Sequence, residues 1–404
     1  MTELRPEDQG GVTDAILTAI ADKTPMEVVG SGTMRTIGRP LATPLKLDLS
    51  ALAGLAFYEP EELVLSAKAG TRRSEVDALL LASRQAFAFE PPDFARLLGS
   101  NQGGTLGGMI AANLSGPRRI KSGALRDHIL GFSAVSGRGE AFRCGGRVMK
   151  NVTGYDLPKL MAGSWGTLCA LTEVTMKVMP APETTATLLL FGLSDEDAGA
   201  AMRDAMLTPL DMAGAAHLPA DVARASALDD IANAGSSVTL LRLEGFGESV
   251  AFRLAELQAR FTAEQAVLDP QRSALAWSEI RDVHLLAEPR ERLVWRISLP
   301  PSDGPRAMGH IRTAAPAAIG YYDWAGGLLW VSVPPSEHGS TQVIRGSIPP
   351  ATGHATLIRG PTSLRGSVFV FEPLPDPLAK LTQRVKQAFD PAGVLNPGRM
   401  YHFA

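Results

Sequence analysis

At 404 residues the chain is too long for one ordinary core, and its 39 Lys and Arg against 42 Asp and Glu, a net charge of −3, leave no basic field for nucleic acid. Two cysteines, Cys144 and Cys169, are too few for a disulfide framework or for the four thiolates that usually hold an iron–sulfur cluster. Glu3, Glu7 and Asp8 stand where a secretory leader has basic residues, and no apolar run is long enough to span a bilayer, so a cytoplasmic protein of two or three domains without a transmembrane segment is expected.

In chain order, the 3.6-residue apolar spacing of Asp8–Ala21 predicts an amphipathic helix, followed by strands at MEVVG, KLDLS and LVLSAKAG and a helix at RSEVDALLLASRQA. These units suggest a small mixed sheet. From Phe89 to Pro180 the texture changes, with fifteen glycines between Gly99 and Gly166, which implies close approach of the chain to a ligand or to itself. Pro180 and Pro182 mark a boundary. Beyond it come ATLLLFGL and a helix at SDEDAGAAMRDAML, SVTLLRLEG and a helix at ESVAFRLAELQARF, then LVWRISLPP and a helix at PRAMGHIRTAAP. A hairpin turns at Ala325-Gly326-Gly327, and further strands are expected at HATLIRG and SVFVFEPL. This pattern indicates an α+β chain whose second part is an antiparallel sheet with helices on one face, two ferredoxin-like halves being one possibility. The tail is an amphipathic helix ended by Asp390-Pro391 and a Gly/Pro-rich arm.

Three glycine-rich passages carry the chemistry. In EVVGSGTMRTIG, a strand ends at Gly30-Ser31-Gly32-Thr33, where missing Cβ atoms leave successive amides free to converge on an anion such as a pyrophosphate. The GxGxxG spacing of a dinucleotide fold is absent, and an ordinary turn explains the loop as well. In NQGGTLGGMIAANLSG, Gly103 to Gly108 can form a second concave surface of amides ahead of a short helix; tight packing on a sheet is the alternative. The third, GGRVMKNVTGYDLPKLMAGSWGTLCALTEVTMKV, turns through Gly163-Ser164-Trp165-Gly166-Thr167 into a strand, which fits main chain running beside a flat ring or, alternatively, a capped helix and a turn.

The order and wording of these passages resemble the FAD-binding domain of the vanillyl-alcohol oxidase and p-cresol methylhydroxylase type. Within that superfamily LDLSAL, YEPEELVLSAKAGT, FEPPDFARLLG, GTLGGMIAANLSGPRRIKSGALRDHILG, KNVTGYDLPKLMAGSWGTL and FDPAGVLNPGRM look like the E subunits of bacterial glycolate oxidases. The likeness is dense over the first 180 residues, thinner in the middle, and recovers in the C-terminal arm. It implies a flavin domain at 1–180, with subdomains of about 1–87 and 88–180, a cap at 181–373, and a helix and arm at 374–404 returning to the flavin. It further implies that Gly30, Ser31, Gly32 and Thr33 contact the FAD pyrophosphate from one side, and Thr105, Gly107, Gly108 and Asn113 from the other, with Ser115 and Gly123 nearby. Gly163, Gly166 and Thr167 would lie along the cofactor, and Asn396 and Arg399 would bring the arm to it.

Two departures qualify the activity that the resemblance implies. The first loop has no histidine to tether the flavin, so FAD is expected to be non-covalent; Cys144 is read as a small apolar filler. The seven histidines, His128, His217, His284, His310, His338, His354 and His402, have no spacing suited to a shared metal, so no metal site is expected and no catalytic base is named. Most are expected at the surface. Arg292, Arg296, Arg359 and Arg365 are candidate carboxylate-binding cations, with solvated strand edges as the alternative, and Tyr155 and Asp156 are read as structural. The resemblance thus implies an FAD-binding subunit of a complex oxidising glycolate, with D-lactate as a second substrate, beside a D-type flavin subunit and an F-type iron–sulfur subunit. Alternatives are a non-catalytic assembly subunit and a self-sufficient 2-hydroxy-acid dehydrogenase. Any membrane association would be peripheral, through the complex.

Overall fold

The computed structural model describes residues 1–147 and 154–403. The stretch VMKNVT (148–153), part of the third glycine-rich passage, lies outside the described residues. The chain opens with β1 (Thr2–Leu4) and the helix Gln9–Ala21, whose N-terminus is capped by the Asp8 carboxylate accepting from the Gly11 amide at 2.8 Å. Val12, Ile16 and Ala19 form its buried stripe. Strands β2 (Met26–Val29) and β3 (Leu45–Asp48) follow, giving a three-stranded parallel sheet ordered β1-β3-β2.

Next come β4 (Leu55–Glu59), β5 (Val64–Lys68), the helix Arg73–Ala82 and β6 (Gln85–Ala86). After three short helices, Ala95–Leu98, Leu106–Ala112 and Arg119–Ser122, the chain forms β7 (Ile129–Ser136), β8 (Ala141–Gly145), β9 (Cys169–Lys177) and β10 (Met179–Pro180). The five-stranded sheet is ordered β4-β5-β9-β7-β8 and is antiparallel throughout. Its membership corrects the expected subdomain division at 87/88. Strands β4 and β5 belong with β7 to β9, because Leu65, Ala67, Phe132, Ala134, Val174 and Met176 bury one common face, and the change of sheet falls between Asp48 and Leu55. The pair β6 and β10 closes this part of the chain, and β11 begins in a different sheet at Thr184.

The cap sheet holds β11 (Thr184–Phe191), β12 (Gly214–Leu218), β13 (Val238–Gly245), β14 (Gln265–Leu268), β15 (Leu293–Ser298), β16 (Ile319–Asp323), β17 (Leu328–Val333) and β18 (His354–Arg359). Its order, β14-β11-β13-β12-β16-β17-β15-β18, is two ferredoxin-like βαββαβ units joined edge to edge at β12 and β16. The four crossover helices, Asp195–Met206, Gly247–Gln258, Gly304–Ala314 and Thr341–Gly346, bury Met202, Val250, Leu257, Met308 and Ile344 with the same face of the sheet. The other face carries the helix Pro270–Arg281 and meets the N-terminal part of the chain, where Ile37, Phe94, Leu97 and Leu114 pack with Leu328 and Trp330. Phe94 stands edge-on to Trp330 with ring centroids 5.6 Å apart. Large apolar side chains contribute roughly 1.5–3 kcal/mol apiece when fully buried, so this boundary holds the two domains together.

Charged pairs flank the apolar boundary. Glu90 of the N-terminal part receives two hydrogen bonds from Arg242 of β13, at 2.8 and 2.7 Å, and Arg118 forks onto Glu244. The expected strand at SVFVFEPL does not form. The helix Thr362–Ser367 takes its first residue, and Pro373 and Pro375 have no N–H to offer a ladder; one bond, Leu357 N–H to the Val370 carbonyl, marks the contact. The amphipathic helix Asp376–Phe389 and the arm complete the chain.

Candidate functional site

Strand β2 buries Met26 and Val29 and releases the chain at Gly30. Gly32 lies at φ +74°, which turns the loop, and Ser31 to Met34 donate no backbone N–H to a protein acceptor among the described residues. Opposite them, Thr105 caps the helix Leu106–Ala112, its Oγ1 accepting from the Gly108 amide at 3.3 Å. The two loops touch: Ser31 Oγ donates to the Gly103 carbonyl at 2.7 Å, and a Cβ on Gly30 would stand 2.2 Å from Thr105 Oγ1. Gly107 serves packing, since its Cβ would come within 2.9 Å of the Ala69 side chain, whereas a Cβ on Gly108 would meet only Thr105 Oγ1, at 3.3 Å.

The third passage is held from the C-terminal arm. Val394 and Asn396 bond to the backbone of Met26 and extend the first sheet at β2. The Asn396 side chain accepts from the Val28 amide at 2.7 Å and donates to the Trp165 carbonyl at 2.8 Å. Lys386, buried with Asp390, reaches the Thr167 and Leu395 carbonyls at 2.7 and 2.8 Å. Arg399 donates to the Met34 carbonyl at 2.9 Å, and burial pushes its pKa down to about 10 against the pull of Glu27. Glu27 in turn pairs with Arg35.

Together these segments line one cleft. It brings together Gly30, Ser31, Gly32, Thr33, Thr105, Gly107, Gly108, Gly166, Asn396 and Arg399. Asn113, Ser115, Gly123, Gly163 and Thr167 do not line it; they fix the loops behind it. Asn113 Oδ1 accepts from Arg126, Ser115 Oγ accepts from Leu125, and Thr167 Oγ1 donates to Ser164. Gly163, at φ +84°, packs against Asn113, and Gly123, at φ +83°, against Asp127. Sequence reasoning missed Met34, Arg35, Phe94 and Trp165 as lining residues; the first two and Trp165 sit inside the quoted loops, while Phe94 reaches the cleft only through tertiary packing. Unpartnered amides facing a long cleft suit the diphosphate of a dinucleotide, whose charge they meet with dipoles and little formal charge.

The cap residues divide sharply. Arg292 is bound to Ser332 and to the Ala317 carbonyl, Arg359 to five backbone carbonyls, and Arg365 to the Gly38 carbonyl, so all three are structural. Arg296 has no such acceptor among the described residues. His310, His338, His354 and His402 are exposed, as expected for most of the histidines, whereas His128 and His217 are buried. His217 sits at the seam of the two cap halves between Thr239 at 2.9 Å and Asp195 at 3.3 Å, and Asp195 also holds Tyr322 and Arg312. No three His, Cys, Asp or Glu side chains gather at metal-binding distance among the described residues. Asp156 caps the helix Leu157–Met161, and Tyr155 is exposed.

Known proteins resemble this chain in sequence and in fold. The FAD binding domain family matches residues 3–145. The glycolate oxidase subunit GlcE of Escherichia coli is 34% identical over 95% of this chain and 94% of its own length. The glycolate oxidase subunit GlcD of Bacillus subtilis is 34% identical over 43% of the chain and 36% of its own length. Among solved structures, p-cresol methylhydroxylase superposes with a TM-score of 0.71 over 98% of this chain and 88% of that one, at 13% identity, which is a likeness of fold.

Proposed function

Because the chain belongs to the family of FAD-binding glycolate oxidase subunits represented by GlcE, we propose that it serves such a complex as a flavin electron relay. It is an FAD-dependent oxidoreductase of the p-cresol methylhydroxylase fold. In this reading it stands in the cytoplasm beside a D-type flavin subunit that carries the fuller substrate site and an F-type subunit that carries iron–sulfur clusters. The complex converts glycolate, and D-lactate as a second substrate, to the 2-oxo acid. No helix among the described residues is long and apolar enough to cross a membrane.

The observation that carries the flavin reading is the pair of touching loops whose amides at Ser31 to Met34 have no acceptor among the described residues. Those amides would hold the diphosphate, and Asn396 and Arg399 would fix the loops on either side of the ring. When bound, FAD supplies hydride and single-electron chemistry. Phe94, Leu97 and Leu114 seal the domain boundary against water.

The test is the purified chain alone. Visible flavin absorbance that passes into the supernatant on acid precipitation supports a non-covalent FAD subunit, and a colourless chain supports an assembly subunit instead. For a relay, anaerobic glycolate bleaches the flavin only after the D-type chain is added; bleaching without it supports a self-sufficient dehydrogenase.

A further inference from the structure

Strand β15 places Trp295 and Ile297 among the crossover helices, and strand alternation therefore sends Arg296 to the face that meets the flavin domain. There it lies in register with Trp330 of β17 and Thr356 of β18. From the other side of the boundary comes Arg119, in the helix that follows the first two glycine-rich passages. Both guanidinium groups lie over one indole: Arg119 is 4.3 Å and Arg296 5.0 Å from the Trp324 ring centroid. The ring is fixed, with Trp324 buried and its Nε1 donating to the Gly116 carbonyl at 3.0 Å.

Neighbouring arginines all have acceptors. Arg118 has Glu244, Arg242 has Glu90, and Arg359 has its carbonyls. Among the described residues, neither Arg119 nor Arg296 donates a side-chain hydrogen bond or pairs with a carboxylate within 4.0 Å; the forces on their protonation are burial and distant charges. Burial, and then the charge of Arg119, push Arg296 down to about 10. The nearby Asp323 makes no contact with either: its Oδ1 accepts from the Trp324 amide at 2.7 Å, and it acts on Arg296 only at a distance. Two like charges over one indole at a domain boundary, each half-buried and with no carboxylate in contact among the described residues, are unfavourable, and stacking on the ring offsets only part of that.

We propose that Arg119 and Arg296 bind the carboxylate of a small 2-hydroxy or 2-oxo acid between cap and flavin domain, on the Trp324 ring. A carboxylate supplies two coplanar oxygens for two guanidinium forks and removes the repulsion between them. The site's part in a redox reaction rests on the flavin reading above; the binding itself does not.

The experiment is calorimetric titration of the full-length chain as purified with glycolate, glycolamide and inorganic phosphate, on wild type, Arg119→Gln, Arg296→Gln and Arg296→Lys. Glycolate binds the wild type and the neutral glycolamide does not. Each Gln variant weakens glycolate by roughly 10- to 100-fold, and Arg296→Lys falls between them and wild type. Flavin content stays at the wild-type level in all variants, and the melting temperature holds or rises because the repulsion between the two guanidinium groups has gone. Absence of glycolate binding to the wild type, wild-type affinity for glycolate in both Gln variants, or tighter binding of phosphate overturns the proposal. If Arg296→Gln is not recovered folded, Arg119→Gln decides alone. A wild-type chain that binds glycolate but carries no flavin would count against the function proposed above and leave this site standing.

Discussion

Gly30 has no room for a side chain, because Thr105 Oγ1 already occupies the direction in which a Cβ would point. Gly30→Ala must push the two loops apart, so the purified variant is expected to lose most of its flavin, read as the ratio of visible to ultraviolet absorbance. Gly108→Ala is the milder comparison: its Cβ meets one atom at 3.3 Å, and partial flavin retention is expected from the same ratio. Asn396 acts differently. Its side chain spends its oxygen on Val28 and a nitrogen on Trp165, so it positions main chain. Asn396→Leu removes both bonds and leaves a buried amide and carbonyl unpaired, a loss of about 2–4 kcal/mol in a denaturant melt.

Between elements, the decisive links are polar pairs buried where two segments meet. Lys386 and Asp390, both nearly inaccessible, join the C-terminal helix to the arm and to the loop after Trp165. Asp390→Asn leaves a buried ammonium without its counter-charge and is expected to cost about 3–5 kcal/mol, measured by urea unfolding. The Glu90–Arg242 pair plays the same part between flavin domain and cap. Burial alone would raise the Glu90 pKa, but Arg242 and Arg118 outweigh it and hold the carboxyl at about 2, below its usual 4.5. A carboxylate depressed in the folded state contributes stability that is present above pH 4.5 and lost as the pH falls toward 2. Melting temperatures between pH 5 and pH 3 are expected to fall less steeply in Glu90→Gln than in wild type, from a lower starting value.

For the whole molecule, the cap is two similar halves set edge to edge, closed onto a flavin domain by an apolar boundary with charged pairs at its rim. That arrangement encloses the cleft between two glycine-rich loops and an arm more than 350 residues downstream, as the bond from Val28 to Asn396 records. Removing residues 391–404 is expected to abolish flavin binding while the cap sheet persists, because the arm supplies the Met26 and Trp165 contacts but none of the cap ladder. Absorbance for the flavin and circular dichroism for the sheet check the two halves of that expectation.

Much of this was legible in the residues themselves. Alternating apolar runs such as ATLLLFGL and SVTLLRLEG, with amphipathic helices between them, carry local periodicities of 2 and 3.6, and those periodicities indicated the α+β order and the ferredoxin-like halves. The glycine-rich loops marked where main chain lines the cleft, because a missing Cβ is a property of the residue alone. What tertiary structure decided was partnership. Strand β12, GAAHL, has little β propensity and exists because it is buried between β13 and β16; β5 joins the second sheet because its buried face matches β9, and β4 follows as the antiparallel edge partner of β5. Four cap arginines were indistinguishable in sequence, and only folding showed that three have acceptors while Arg296 shares an indole with Arg119. Backbone preferences act over a few residues and can be read there, whereas the counter-ion of a charge is set by whatever the whole fold brings beside it.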